Sequence, residues 1–204
     1  MTNEAKSRGG RPWSFDREAA IETALRLFWR HGYEGVSIGD LTQAIGIAPP
    51  SLYAAFGSKA GIYREAIDRY ERGFGPCDTA TVDAAASLAE AVRLLLENAA
   101  TSVVHPARER GCLISSGMVA CHPDHSALAR EVAARRERMR DRIAETLRPF
   151  ARDHDLARLA RHLAAVMQGM SIQARDGATR AELQDIVEEA VAGIAARSRA
   201  ARQG

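Results

Sequence analysis

Ser37-Ile38-Gly39-Asp40-Leu41-Thr42-Gln43-Ala44-Ile45-Gly46-Ile47-Ala48-Pro49-Pro50-Ser51-Leu52-Tyr53-Ala54-Ala55-Phe56 reads as two short helices joined by a tight turn. Ser37 stands three residues before Asp40, a capping box with Asp in place of Glu. Gly46 breaks the chain where a left-handed residue ends a helix, and Gly57 does the same for the second helix. Two short helices across such a turn form a helix-turn-helix, whose second helix enters the major groove of DNA.

Helical signals extend outward from this core, and strand alternation is sustained nowhere. Upstream, Asp16 is placed to cap a helix to His31, with Ile21, Ala24, Leu25 and Phe28 on one face. Gly32 ends it. Downstream, Ser58 caps a helix from Lys59 to about Arg72, using Ile62, Ala66, Ile67 and Tyr70. Further helices are predicted from about Asp83 to Val104, over Cys112 to Cys121, and from Pro123 to Phe150. Two more run from Asp155 to Gly177 and from Thr179 to Ala200. The expected fold is all-α, with about nine helices.

Composition narrows the function classes. The chain of 204 residues is 46% hydrophobic and 26% charged, as soluble globular chains are, so disorder and low complexity are excluded as readings of the whole. A net charge of +2 supplies no bulk polycation, so DNA would have to meet a local patch. No apolar run is long enough for a membrane span, and Met1 to Lys6 has no apolar stretch behind its charges to serve as a secretory signal. Cys77, Cys112 and Cys121 cannot all pair within one chain, which fits a reducing cytoplasm. Ten of eleven aromatic residues lie at or before Phe74, and only Phe150 lies beyond. This points to two domains with different cores, divided at Gly73-Phe74-Gly75-Pro76. The expected organisation is a basic arm over 1–15, a DNA-binding head over 16–73, and a ligand-binding and dimerisation domain over 77–204.

Phe28-Trp29-Arg30-His31-Gly32-Tyr33-Glu34-Gly35-Val36-Ser37-Ile38, then Ile45-Gly46-Ile47-Ala48, then Ser51-Leu52-Tyr53-Ala54-Ala55-Phe56-Gly57-Ser58-Lys59 resembles the N-terminal domain of the tetracycline-repressor (TetR) family of bacterial transcription regulators. The close match covers about Asp16 to Tyr63. The resemblance implies a cytoplasmic, homodimeric regulator, expected to be a repressor. It would bind a palindromic double-stranded operator and be released by a small effector, without enzymatic activity, cofactor or metal. Ser37 and Tyr53 are then placed to bond phosphate, as is Lys59, while Ala48, Pro49, Pro50, Ser51 and Ala54 meet base edges. A Tyr hydroxyl and a Lys beside a helix start are ordinary phosphate ligands. Leu52, Phe56 and Trp29 read as core.

This recognition helix is unusual. Its first turn carries Ala48, Pro49 and Pro50 in place of hydrogen-bonding side chains. The residue before a proline disfavours helical geometry, which puts Pro49 just outside the helix. Readout would lean on Ser51, thymine-methyl contacts and DNA shape. Arg8 and Arg11, in a Gly-flanked basic segment, suit insertion into a narrow minor groove.

In the second half, Leu156, Leu159, Leu163, Val166 and Met170 step by a heptad rule. A dimer interface is expected over Leu159, Leu163, Val166, Met170, Leu183, Val187, Ala190 and Ile194, the alternative being packing against the chain's own core. An effector pocket is expected among Leu95, Ala99, Cys112, Ile114, Met118 and Met139. With few rings in that half, a flexible apolar or amphipathic effector is favoured unless rings of the head contribute. Cys112, Cys121, His122 and His125 leave open a metal- or thiol-responsive regulator and, further off, a small helical metalloenzyme. The run Arg135, Arg136, Arg138, Arg140 and Arg142 reads as a solvated face.

Overall fold

The computed structural model describes residues 15–74 and 81–203, with side chains to residue 197. Asp16 accepts hydrogen bonds from the Glu18 and Ala19 N–H groups and so opens α1 (Arg17–His31). The apolar face of α1 buries Ile21, Ala24, Leu25, Phe28 and Trp29 against Ile62, Tyr63, Ala66, Ile67 and Tyr70 of α4 (Lys59–Phe74). Between them lie α2 (Ile38–Ile45) and α3 (Pro49–Phe56), which pack against the bundle through Leu41, Leu52 and Phe56. The rings hold this head together. Phe28 and Tyr63 meet edge to face at 4.9 Å, as do Trp29 and Tyr70 at 4.8 Å. On the rim, Arg69 bridges Glu22 and Glu18 of α1.

Beyond the head, α5 (Leu88–Val103) packs against α9 (Arg180–Gln203), and α7 (Ser126–Leu147) against α8 (Asp153–Arg175). The single turn α6 (Leu113–Ser116) wedges among α4, α7 and α8. Every regular element among the described residues is helical, and none is long and apolar enough to cross a membrane. The buried residues from Ala20 to Ile194 form one connected core. The ring-rich and ring-poor segments thus differ in composition while their interiors merge. Trp29 marks the join: its Nε1–H donates to the Gly111 carbonyl at 3.0 Å, in a buried bond.

Several helix boundaries differ from the sequence expectation. α5 starts at Leu88, not about Asp83, because Ser87 accepts the Glu90 N–H while Glu90 reaches back to the Ala86 N–H. A separate 3₁₀ turn covers Val82–Ala84. The helix expected over Cys112 to Cys121 stops after Ser116, since Gly117 is extended and Met118 takes a positive φ of 52°. Pro123 opens only a 3₁₀ turn, and α7 begins at Ser126. Asp155 lies inside the first turn of α8, where it pairs with Arg158 and does not cap. Gly73 and Phe74 remain helical; Gly75, Pro76 and Cys77 lie outside the described residues.

The arginine run is corrected too. Arg135 turns inward to pair with Asp68 and Glu71 of α4, and Arg136 donates to the Ile114 and Gly117 carbonyls. Burial pulls the Arg136 guanidinium below its ordinary value. Only the remainder of the run faces outward.

Candidate nucleic-acid interface

The capping box forms as read. The Ser37 Oγ accepts the Asp40 N–H at 3.1 Å, and Asp40 Oδ2 accepts both the N–H and the hydroxyl of Ser37 at 2.7 Å. These bonds hold the Asp40 carboxyl below its usual range. They also occupy the Ser37 hydroxyl that the resemblance aims at phosphate. Gly46 adopts the left-handed conformation and donates to the Thr42 carbonyl at 2.9 Å, closing α2. The chain then needs only Ile47 and Ala48 to start α3.

Pro49 is the first helical residue, not the residue before the helix as the pre-proline rule suggests. The rule is a preference, and the first turn of α3 overrides it at Pro49. Its ring also suits the fixed φ of a first turn. The restriction falls instead on Ala48, which is extended at ψ 150° and gives no side-chain cap.

α3 divides cleanly by face. Leu52 and Phe56 are buried, while Ala48, Pro49, Pro50, Tyr53 and Ala54 are exposed, with Ser51 half-buried. Tyr53 is 49% exposed, in a head whose other described rings are buried or half-buried. A core role for Tyr53 is thereby excluded. Arg8 and Arg11 lie outside the described residues.

Lys59 opens α4 directly after α3, and its ammonium rests 4.2 Å over the Tyr33 ring. Burial lowers the Lys59 pKa, opposed by the charges of Glu34 and Asp40. On the same Tyr33-Glu34 pair converges a contact from the second half of the molecule. Glu34 Oε1 accepts the His122 N–H at 3.0 Å and lies 2.7 Å from His125 Nδ1. The His125 ring meets Tyr33 edge to face at 4.9 Å. The hydrogen bonds from His125 and His122 depress the Glu34 pKa. Sequence reading missed Glu34, because nothing local signals a partner 91 residues away. It also missed Gly61, where a β-carbon would lie 1.9 Å from the Phe56 carbonyl oxygen; the α3–α4 corner closes only around a hydrogen atom.

The expected effector residues separate. Ala99, Cys112 and Met139 line a void of about 20 Å³ with Tyr70, Ser102 and Met167. Leu95 and Ile114 are core residues outside its lining, and Met118 lines a different cleft at the junction with the head. A void of this size holds roughly one water molecule. Cys112 is buried, with Sγ accepting the Ser115 N–H at 3.4 Å. Cys112, Cys121, His122 and His125 are not gathered into a metal-holding group, and no such group of three His, Cys, Asp or Glu occurs among the described residues.

The heptad seam of α8 points inward at Leu156, Leu163 and Met170. Leu163, Met170, Leu183, Val187 and Ile194 are at most 2% exposed, since they fill the chain's own core against α5 and α7. They present nothing to a partner, which corrects their assignment to a dimer interface. Leu159, Val166 and Ala190 remain half-buried. Val166, Ile186, Ala190 and Gly193 line a groove between α8 and α9 of about 590 Å³.

Residues 20–66 match the family model described as bacterial regulatory proteins, tetR family. The chain is 36% identical to the HTH-type transcriptional repressor ComR of Escherichia coli K12, covering 91% of this chain and 91% of that protein. It is 30% identical to the HTH-type transcriptional repressor BdcR of the same organism, over 87% and 88%. Among solved structures it is similar to the TetR family transcriptional regulator CifR, a cysteine mutant in complex with a 26-bp double-strand operator DNA. That likeness has a TM-score of 0.82 and 37% identity, covering 89% of this chain and 98% of the other.

Proposed function

Because this chain belongs to the TetR family of bacterial regulatory proteins, we propose that it represses transcription as a homodimer bound to a palindromic operator and is released by a small apolar or amphipathic effector. It is a DNA-binding regulator, and we read it as non-catalytic and cytoplasmic. Residues 16–73 act as the DNA-binding head and 77–204 as the regulatory and dimerisation domain, with 1–15 a basic arm. Half-sites would lie ~34–36 Å apart, matching the two-fold symmetry of the dimer.

The observation that carries this reading is the outward face of α3. Pro49, Pro50, Tyr53 and Ala54 stand out from a helix anchored by buried Leu52 and Phe56. Such a face offers shape and methyl contacts to base edges, with Tyr53 and Lys59 supplying phosphate contacts. Pro49 and Pro50 remove two backbone donors, so the side chains carry more of the phosphate binding. Arg8 and Arg11 would add minor-groove contacts. The effector would enlarge the small void at Ala99, Cys112 and Met139, where Tyr70 of the head contributes a ring wall. It must bind the DNA-incompetent state more tightly, or nothing shifts.

The test is fluorescence anisotropy on the DNA flanking the chain's own gene, over a salt series. Tyr53→Phe is expected to weaken binding with the salt slope unchanged, because the lost hydroxyl carries no charge, and Lys59→Met to reduce the slope by about 0.9. Absence of salt-dependent binding at low salt would overturn the reading.

A further inference from the structure

The regulatory half touches the head at several points, and one of them leads to a proposed DNA ligand. His125 and the His122 N–H hold the Glu34 carboxylate from the regulatory side. His125 also packs on the Tyr33 ring, and the same ring carries the Lys59 ammonium. Glu34 therefore has two basic groups within its field, Lys59 in its own domain and His125 in the other. A carboxylate beside a phosphate-binding lysine is a competitor for that lysine.

We propose that Glu34 is a positioning residue for operator binding, and that His125 keeps it from withdrawing Lys59 from the DNA phosphate. The proposal rests on Lys59 acting as a phosphate ligand. With the latch closed, Glu34 is spent on His125 and His122, and Lys59 lies on the flat face of Tyr33 beside the recognition helix. When the regulatory half shifts and takes His125 away, Glu34 turns to Lys59, and the pair competes with phosphate. The latch then couples the two halves through a charge exchange as well as through movement of α4.

The surrounding charges fit this arrangement. The charge of Asp40 also acts on Lys59, but Asp40 is held in the capping box by Ser37. Arg64, which also faces Tyr33, is bound by both oxygens of Glu131 on α7 at 2.7 Å. His122 itself faces Asp124 at 3.4 Å. The electrostatic pull between Glu34 and Lys59 is felt in both pKa directions: each favours the charged form of the other.

The experiment is a set of operator affinities and salt slopes for wild type, His125→Gln, Glu34→Gln, the double variant, and each of these with Lys59→Met. His125→Gln is expected to weaken binding about three- to fivefold, the scale of an exposed ion pair. Glu34→Gln is expected to bind at least as tightly as wild type, and the double variant to recover wild-type affinity. In the Lys59→Met series His125→Gln should have no further effect. A latch that merely holds the domains together predicts the opposite, with Glu34→Gln as damaging as His125→Gln and no recovery in the double variant. That result, or an unchanged affinity in His125→Gln, overturns the proposal. If His125→Gln fails to fold, weaker binding by Glu34→Gln alone does the same. Should Lys59→Met itself leave affinity and slope untouched, the phosphate role of Lys59 fails, and the proposal falls with it.

Discussion

Trp29 shows what a single residue contributes and how far its role can be read in advance. Its place on the apolar face of α1, eight residues after Ile21, marks it as core, and it is 4% exposed. The polar half of its role is invisible in the sequence. Its indole N–H satisfies the Gly111 carbonyl, 82 residues away. Gly111 needs to be glycine there, because its φ is +79° and a β-carbon would lie 2.9 Å from the Ser171 carbonyl oxygen. Arg175 runs beside it to donate to the Trp29 and Arg30 carbonyls at the end of α1. Trp29→Phe keeps most of the apolar contact but leaves the Gly111 carbonyl buried without its donor. The expected cost is about 1–3 kcal/mol of stability, read as a lower urea midpoint with an unchanged m-value. No loss of stability would mean that water reaches that carbonyl.

At the scale of the element, helix ends set by local chemistry were legible and those set by distant contacts were not. Ser37 with Asp40, Gly46, Gly57 and Thr179 with Glu182 all act where their own neighbours predict. α5 is the exception: Ser87-Leu88-Ala89-Glu90 carries the same local signature, but the alanine-rich stretch before it is itself helix-favouring and drew the expected start upstream. Gly117, extended after α6, has one local and one tertiary constraint: a β-carbon there would lie 2.4 Å from the Leu113 carbonyl oxygen of the same turn and 3.1 Å from the Tyr63 hydroxyl. α3 gives a measurable consequence. Its Ala48 cap leaves the start of the helix without a side-chain acceptor. A serine cap commonly adds ~1 kcal/mol. Here Pro49 and Pro50 have already removed two orphan donors, and the Ser51 N–H bonds the Ala48 carbonyl at 2.9 Å. Ala48→Ser is therefore expected to stabilise by only ~0.5 kcal/mol, the low end of the usual range. A rise in thermal midpoint of several degrees would show that Ser51 N–H is poorly satisfied by that short bond.

For the whole molecule, the heptad pattern of α8 was correctly seen and wrongly aimed. Periodicity finds the apolar stripe, but it does not say whether the stripe meets the chain's own core or a second copy. Leu163 at 0% exposure answers for the stripe, and in the proposed dimer the partner face falls to the flanking positions. Ile172 is 47% exposed, and Val166, Ile186 and Ala190 border the groove between α8 and α9. Gly169 and Gly193 lie inside helices, where glycine costs ~1 kcal/mol relative to alanine, and a β-carbon at either would meet nothing within 4 Å. Small residues on such a face let helices of a second copy approach closely. The interface can thus be tested without touching the core. Leu163→Glu would unfold the protomer and say nothing about assembly, whereas Ile186→Glu places a charge on the groove and leaves the core filled. Light scattering is expected to show Ile186→Glu as a folded monomer. Joining two heads raises their effective concentration on the operator, so separating them should cost ~100-fold or more in affinity. Binding to a single half-site should stay unchanged, because each head is intact. A variant that remains dimeric and binds the full operator normally would move the partner surface away from α8 and α9.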